Sequence, residues 1–252
     1  MRVKTICWLS SGVSSFISAW CLRNEIDEYY YIDVKDQHPD SIRFIRDCEH
    51  ALGKKVHIVR SSQYRDVESV IRAFGFIRNV HRSMFYPCTN VLKKRVRKEM
   101  EEKWSGDTIR YIWGFDVDEQ ERAVRLVEAM PQFDNVFPLI DELIDKTTAH
   151  ALCKELDIKR PLMYDMGYHN NNCVGCVKGG CGYWNKIRND FPKVFESRAK
   201  MERDIGYAIL KDKGIPLYLD ELPVDKGRKE LPIVEDCGIF CELTLNDWGK
   251  EN

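Results

Sequence analysis

The sequence predicts an α/β protein: a doubly wound, mostly parallel sheet followed by a helical, cysteine-bearing C-terminal extension. Three observations predict it. Short apolar runs alternate with helix-period segments through the first half. The first of these runs empties into a loop of serines before a helix. A stretch rich in Asn, Gly and Cys then interrupts the helical second half.

In order, KTICWL reads as a strand and VSSFISAWCLRN as a helix, with Phe16, Ile17, Trp20 and Cys21 on one face. EYYYIDV is a second strand. PDSIRFIRDCEHALG is a helix opened by Pro39 and Asp40 and stopped by Gly53. KKVHIVRS is a third strand, VLKKRVRKEMEEKW a helix, TIRYIWGF a fourth strand and DEQERAVRLVEAM a further helix. After Pro131 the pattern changes. FPLIDELIDKTTAHALCKELDI reads as helical with a break at Lys146-Thr147, YHNNNCVGCVKGGCGYW as a loop and FPKVFESRAKMERDIGYAIL as helical. The expected division is a nucleotide-binding α/β domain over 1–165 and an extension over 166–252, packed against it.

Composition narrows the classes. Hydrophobic residues at 44% and charged residues at 31% fit a globular protein, and no apolar run approaches a membrane span. The start of the chain lacks an apolar core of signal-peptide length, so a cytoplasmic location is expected. A formal net charge of −1 argues against a surface coated for non-specific nucleic-acid binding. The local run KKRVRK, Lys93 to Lys98, reads either as a basic patch or as a solvated helix face. Ten cysteines are many for a reducing compartment, where clustered thiols bind metal or do redox chemistry. Cys7, Cys21, Cys48 and Cys153 lie in apolar or helical patterns and read as core. Cys88, Cys173, Cys176, Cys181, Cys237 and Cys241 lie near turn signals and need another account.

The loop after the first strand, Ser10-Ser11-Gly12-Val13-Ser14-Ser15, has the parts of a phosphate site. Backbone N–H groups at a helix start lack partners, the helix dipole favours an anion, and Gly12 admits close approach. The serines add hydroxyl donors, although a cluster of serines is also an ordinary helix cap. Neither the Walker lysine nor a G-x-G-x-x-G pattern is present. Asp33, ending the second strand, is a candidate for a ribose or metal contact, or simply a turn residue.

Cys173-x-x-Cys176 has chelate spacing, and its thiolates suit zinc or an iron–sulfur cluster.

LSSGVSS resembles the pyrophosphate loop, S-G-G-x-D-S, of the PP-loop (adenine nucleotide alpha-hydrolase-like) superfamily. Within it the chain resembles the phosphoadenosine phosphosulfate (PAPS) reductase-like family from residue 3 to near residue 190. YPCTNVLK is similar to that family's Cys-x-x-x-x-Lys region. WGFDVDEQERAVR is similar to G-x-R-x-x-E-S-x-x-R. PLMYDMGYHNNNCVGC resembles L-Y-x-x-G-Y-x-x-x-x-C-x-x-C. Ser11 stands where the family often has Gly, Ser14 where ATP-cleaving members have Asp, and Asp116 where Arg is common.

The resemblance implies an enzyme acting on an adenosine nucleotide, ATP or adenylyl sulfate, with Mg2+. It implies a [4Fe-4S] cluster at Cys173 and Cys176, with Zn2+ as the alternative, Cys88 at the place of an upstream ligand and Cys181, Cys237 or Cys241 as the fourth. Two reactions fit. In one, ATP adenylylates an acceptor, a nucleic-acid base or a small molecule, and sulfur displaces AMP. In the other, a thiol attacks adenylyl sulfate or PAPS and sulfite is released. DCGIF resembles the E-C-G-x-H tail that carries such a thiol, which nominates Cys237 as nucleophile, with Phe240 in place of the His. A third reading is a non-catalytic nucleotide- and metal-binding module. The partners implied are a sulfur- or electron-donor protein, a nucleic-acid substrate and a second copy of the chain in a homo-oligomer, with no membrane.

Overall fold

The computed structural model describes residues 3–79, 85–228 and 233. Cys237 and Cys241 lie outside the described residues. The strands β1 (Val3–Leu9), β2 (Glu28–Ile32), β3 (Val56–Val59), β4 (Thr108–Ile112) and β5 (Asp134–Val136) form one sheet in the order β3-β2-β1-β4-β5. Every pairing is parallel. The chain therefore winds outward from β1 in both directions, and the order reverses between β1 and β4. In open α/β sheets that reversal opens a crevice at the carboxyl ends of the strands.

The period of two sorts each strand between two cores. Cys7, Leu9, Tyr29 and Tyr31 face α1 (Val13–Cys21), α2 (Asp40–Ala51) and, further on, α8 (Lys146–Glu155). Ile6, Trp8, Tyr30 and Tyr111 face the other way, onto Trp104 and Met130. Both faces of β1 are covered, so its burial runs unbroken from Thr5 to Leu9, as expected for a central parallel strand.

α3 (Val67–Phe74) is an element the apolar pattern alone did not mark out. Its cap signals are plain: Asp66 accepts a bond from the Ser69 N–H at 2.8 Å, and Gly75 ends it at φ 71°. The predicted helix from Val91 is the end of a longer unit. It comprises α4 (Pro87–Thr89), a π-turn (Asn90–Lys94) and α5 (Arg95–Lys103). α6 (Gln120–Ala129) precedes β5, a strand of three residues.

The predicted helix over 137–158 breaks earlier than expected, into α7 (Pro138–Asp141) and α8. Asp145 caps α8 by accepting from Thr148 N–H at 2.7 Å. α9 (Leu162–Asp165), α10 (Cys181–Asp190) and α11 (Pro192–Ile205) follow. Gly206 at φ 67° stops α11, and the residues expected to continue it instead enter a hairpin of β6 (Leu210–Asp212) and β7 (Ile215–Leu217).

The cysteine-bearing region shares a hydrophobic cluster with the first half. Trp184, Ile187, Phe195 and Met201 pack with Val70, Ile71, Cys88 and Leu92. Buried Arg198 adds a polar tie, pairing with Asp36 and, at 2.9 Å, with Glu68. Among the described residues, no helix is long and apolar enough to cross a membrane.

Candidate active site

A cavity of about 270 Å³ opens at the reversal point of the sheet. The ends of three strands supply its floor: Trp8 to Ser10 at the end of β1, Tyr31 and Ile32 of β2, and Trp113 to Phe115 after β4. Lys93, Lys94, Arg97 and Arg122 also line it, and no carboxylate does among the described residues. Arg97 pairs with Glu101 at 2.9 Å and Arg122 with Glu119 at 2.5 Å, so Lys93 and Lys94 are the cations left to favour a polyanion. The π-turn carries Lys93 and Lys94, so the basic run is neither a separate patch nor merely a solvated face. Such an extra residue in a helix re-aims the side chains around it. Aromatic rings hold two of the cations: the Arg122 guanidinium lies 4.3 Å from the Phe115 ring and that of Arg97 5.7 Å from Trp113.

The serine loop borders this cavity through Ser10 and Ser15. Much of its hydroxyl chemistry is turned inward. The Ser10 hydroxyl donates to Ser15 Oγ at 3.0 Å and accepts from the Gly12 N–H at 3.3 Å. Ser15 Oγ accepts the Ser10 N–H and donates to the Gly12 carbonyl at 2.8 Å. The serines therefore shape the loop. Gly12 is the N-cap of α1 and has no side chain to satisfy the first-turn N–H groups. Ser11 and Val13 are buried behind the loop and Ser14 is half-buried. Asp33 does not line the cavity; its carboxylate pairs with Arg60 at 3.0 Å.

Gly114 sits against the first turn of α1. A Cβ there would fall 2.7 Å from the Ser15 N and Cβ, so only glycine lets the end of β4 approach the loop this closely. The sequence carried a signal in the dipeptide Trp113-Gly114 at a strand end, but nothing local names its partner.

A second cavity, about 120 Å³, is lined by Cys88, Cys173 and Cys176 with Lys93 and Lys178. Lys93 thus belongs to both walls. Backbone contacts fix the thiol loop. Cys173 bridges Gln37, Val174 N–H donates to Asp36 O at 2.7 Å, and Cys176 N–H donates to the Tyr183 hydroxyl at 2.9 Å. Gly175, between Cys173 and Cys176, has φ 70° and lies against Val194, and Gly179, after Cys176, lies under the Tyr183 ring, which accounts for these two glycines. Tyr183 and Trp184 are supports, the latter fully buried, and neither offers a ring for base stacking at the first cavity.

Burial pushes the Cys173 thiol up to about 12, with the neighbouring Cys176 adding to it and Lys93 opposing. Burial raises Cys88 as well, and burial holds Lys178 below the ordinary lysine range against the pull of Cys176 and Cys88. Cys181 opens α10 and does not line this cavity. Among the described residues, no three His, Cys, Asp or Glu side chains converge as a ready-made site for a metal ion.

Two supports were not visible in the sequence. Asn171 is buried and its amide reaches the serine loop across 160 positions. The Tyr164 hydroxyl lies where a Cβ on Gly12 would approach to 3.2 Å, and its ring meets His150 edge-on at 4.4 Å.

No family model matches the chain, and no curated protein matches it. Among solved structures, it is similar to the crystal structure of phosphoadenylyl-sulfate (PAPS) reductase from Candida auris in a phosphate complex. The similarity covers 67% of this chain and 79% of that one, at 14% identity and a TM-score of 0.46.

Proposed function

We propose that the chain is a PP-loop enzyme of the PAPS reductase-like kind, acting on an adenosine nucleotide bound at the reversal point of the sheet. One observation carries this reading: the serine loop and four cations surround one cavity, and one of those cations, Lys93, also lines the thiol cavity. The reaction that fits is adenylylation of an acceptor oxygen followed by sulfur transfer. The acceptor oxygen attacks the α-phosphorus of ATP, the bond to the bridging oxygen breaks, and pyrophosphate leaves with both electrons of that bond. A sulfur nucleophile then attacks the acceptor carbon and AMP departs.

Lys93, Lys94, Arg97 and Arg122 would offset the charge that builds on the leaving pyrophosphate. The open N–H groups of α1 would hold its oxygens, and Trp8, Tyr31 and Trp113 would exclude water from one side. Mg2+ would accompany the phosphates.

Cys88, Cys173 and Cys176 would be three ligands of a [4Fe-4S] cluster. The donors are soft, they surround a cavity rather than one point, and two lysines offset a cluster's negative charge. A zinc ion would need its sulfurs about 2.3 Å from one centre. Cys181, Cys237 or Cys241 would supply the fourth ligand. A cluster there would supply iron able to hold sulfur near the nucleotide.

The wall shared through Lys93 also favours a second reading. In it the Cys237 thiolate attacks the sulfur of adenylyl sulfate, the bond from that sulfur to the AMP oxygen breaks and AMP leaves; a thiol of an electron-donor protein then attacks the Cys237 sulfur, releasing sulfite and leaving the two thiols joined as a disulfide.

Calorimetry with ATP and with adenylyl sulfate tests the binding, and Lys93→Ala with Arg97→Ala tests the cations. Each lost charge-assisted bond is worth about 1.5–3 kcal/mol. Unchanged affinity in both variants removes the reading. Pyrophosphate released from ATP and acceptor supports the first reaction. Sulfite formed from adenylyl sulfate, and abolished by Cys237→Ser with metal intact, supports the second.

A further inference from the structure

Ser11 is fully buried and has φ 60°, a left-handed conformation that residues with a Cβ disfavour. This one residue turns the chain out of β1 so that Gly12, extended at φ −102° and ψ 154°, can open α1. Something must hold it there. Asn171 Nδ2 donates to the Ser11 carbonyl at 2.7 Å and lies 3.2 Å from Ser11 Oγ. The same amide group lies 3.1 Å from Ser41 Oγ on α2. A carbonyl cannot donate, so the amide must turn its nitrogen to Ser11. Its Oδ1 is then left buried without a partner among the described residues, a cost that a merely space-filling side chain would not carry.

We propose that Asn171 is a positioning residue for the phosphate loop: it holds Ser11 left-handed, doing for a serine what the freedom of glycine would do unaided. The proposal rests on the reading that this loop binds phosphate. Asn171 lies two residues before Cys173, whose backbone bridges Gln37. The clamp therefore comes from the thiol-bearing loop, and the two cavities share a support as well as Lys93.

The test is a double-mutant cycle read by calorimetry with inorganic pyrophosphate and with ATP, alongside thermal unfolding. Asn171→Ala weakens both ligands by about tenfold, the population lost when a left-handed residue is no longer held. Ser11→Gly supplies the reference for the cycle, and in its background Asn171→Ala costs much less than it does in wild type. Ser11→Gly combined with Asn171→Ala recovers most of the lost affinity, because glycine needs no clamp. A general loosening of the core would not be repaired in this way. Wild-type affinity in Asn171→Ala overturns the proposal, as does a double variant as weak as Asn171→Ala. If Asn171→Ala gives no folded protein by circular dichroism, Asn171→Ser replaces it in the same cycle, with the same outcomes deciding. If the wild-type chain binds neither ligand, the phosphate reading fails and the proposal falls with it.

Discussion

Replacing Gly114 with alanine adds one methyl where the end of β4 meets α1. The new Cβ would lie 2.7 Å from the Ser15 N and Cβ and closer still to its Cα. Carbon atoms pack at about 3.5–4.0 Å, so the two segments must separate by about 1 Å. Neither side of the contact is the free end of a flexible side chain. Ser18, one turn along α1, also donates to the Trp113 carbonyl at 3.2 Å, so the helix cannot slide away without losing that bond. Overpacking of this kind costs about 1–3 kcal/mol. At this chain length that corresponds to a Tm lower by roughly 3–10 °C. Ser15 and Gly114 both line the cavity, so the same displacement should weaken nucleotide binding roughly tenfold or more, the loss of one charge-assisted bond. Differential scanning fluorimetry and calorimetry with ATP measure the two effects. Gly12→Ala is the control. Its Cβ would meet only the Tyr164 hydroxyl at 3.2 Å and Ser10 Oγ at 3.3 Å, both side-chain ends, and its Tm should move far less. A Gly114→Ala protein with the Tm and affinity of wild type would refute the close approach and the site built on it.

Three further outcomes are expected. His150 is buried with neither ring nitrogen hydrogen-bonded among the described residues, and burial, then the charges of Arg160 and Lys146, hold its pKa down at about 3. The unfolded chain takes up that proton near pH 6.5 and the folded chain does not. The stability present above that pH is therefore lost as pH falls toward 3. Urea midpoints should fall less steeply from neutral to acid pH in His150→Leu than in wild type, and equal slopes would rule this out. Glu202 acts in the opposite sense. Burial raises it to about 7 despite its bonds from the N–H groups of Ile209 and Leu219, so its share of stability falls as pH rises from about 4.5 to 7. Glu202→Gln should flatten that slope in the same titration, and an unchanged slope would rule it out. Protein purified without oxygen should be brown and carry iron and sulfide, and Cys176→Ala should lose most of both. One zinc in colourless protein would replace the cluster by an ion, and full metal content in Cys176→Ala would remove the thiol site.

The alternation of apolar runs and helical periods determined the α/β class, because period 2 and period 3.6 are properties of the local chain. The Ser10–Ser15 loop and the Cys173–Cys176 pair were legible for the same reason: each is a contiguous motif. Some missed elements also had local signals. Asp66 and Gly75 frame α3, and Lys213-Gly214, both at positive φ, turn the β6–β7 hairpin. β5 had none, since three residues, Asp-Asn-Val, become a strand only by pairing with Arg110 to Ile112 of β4. The site itself was decided by tertiary structure. Lys93, Arg122 and Gly114 come together because the sheet order reverses between β1 and β4. Asn171 meets Ser11 because the thiol-bearing loop folds back over that reversal. Sequence patterns report what neighbours along the chain do to one another. A residue 160 positions away enters only when burial of both halves in a shared core brings it within hydrogen-bond reach.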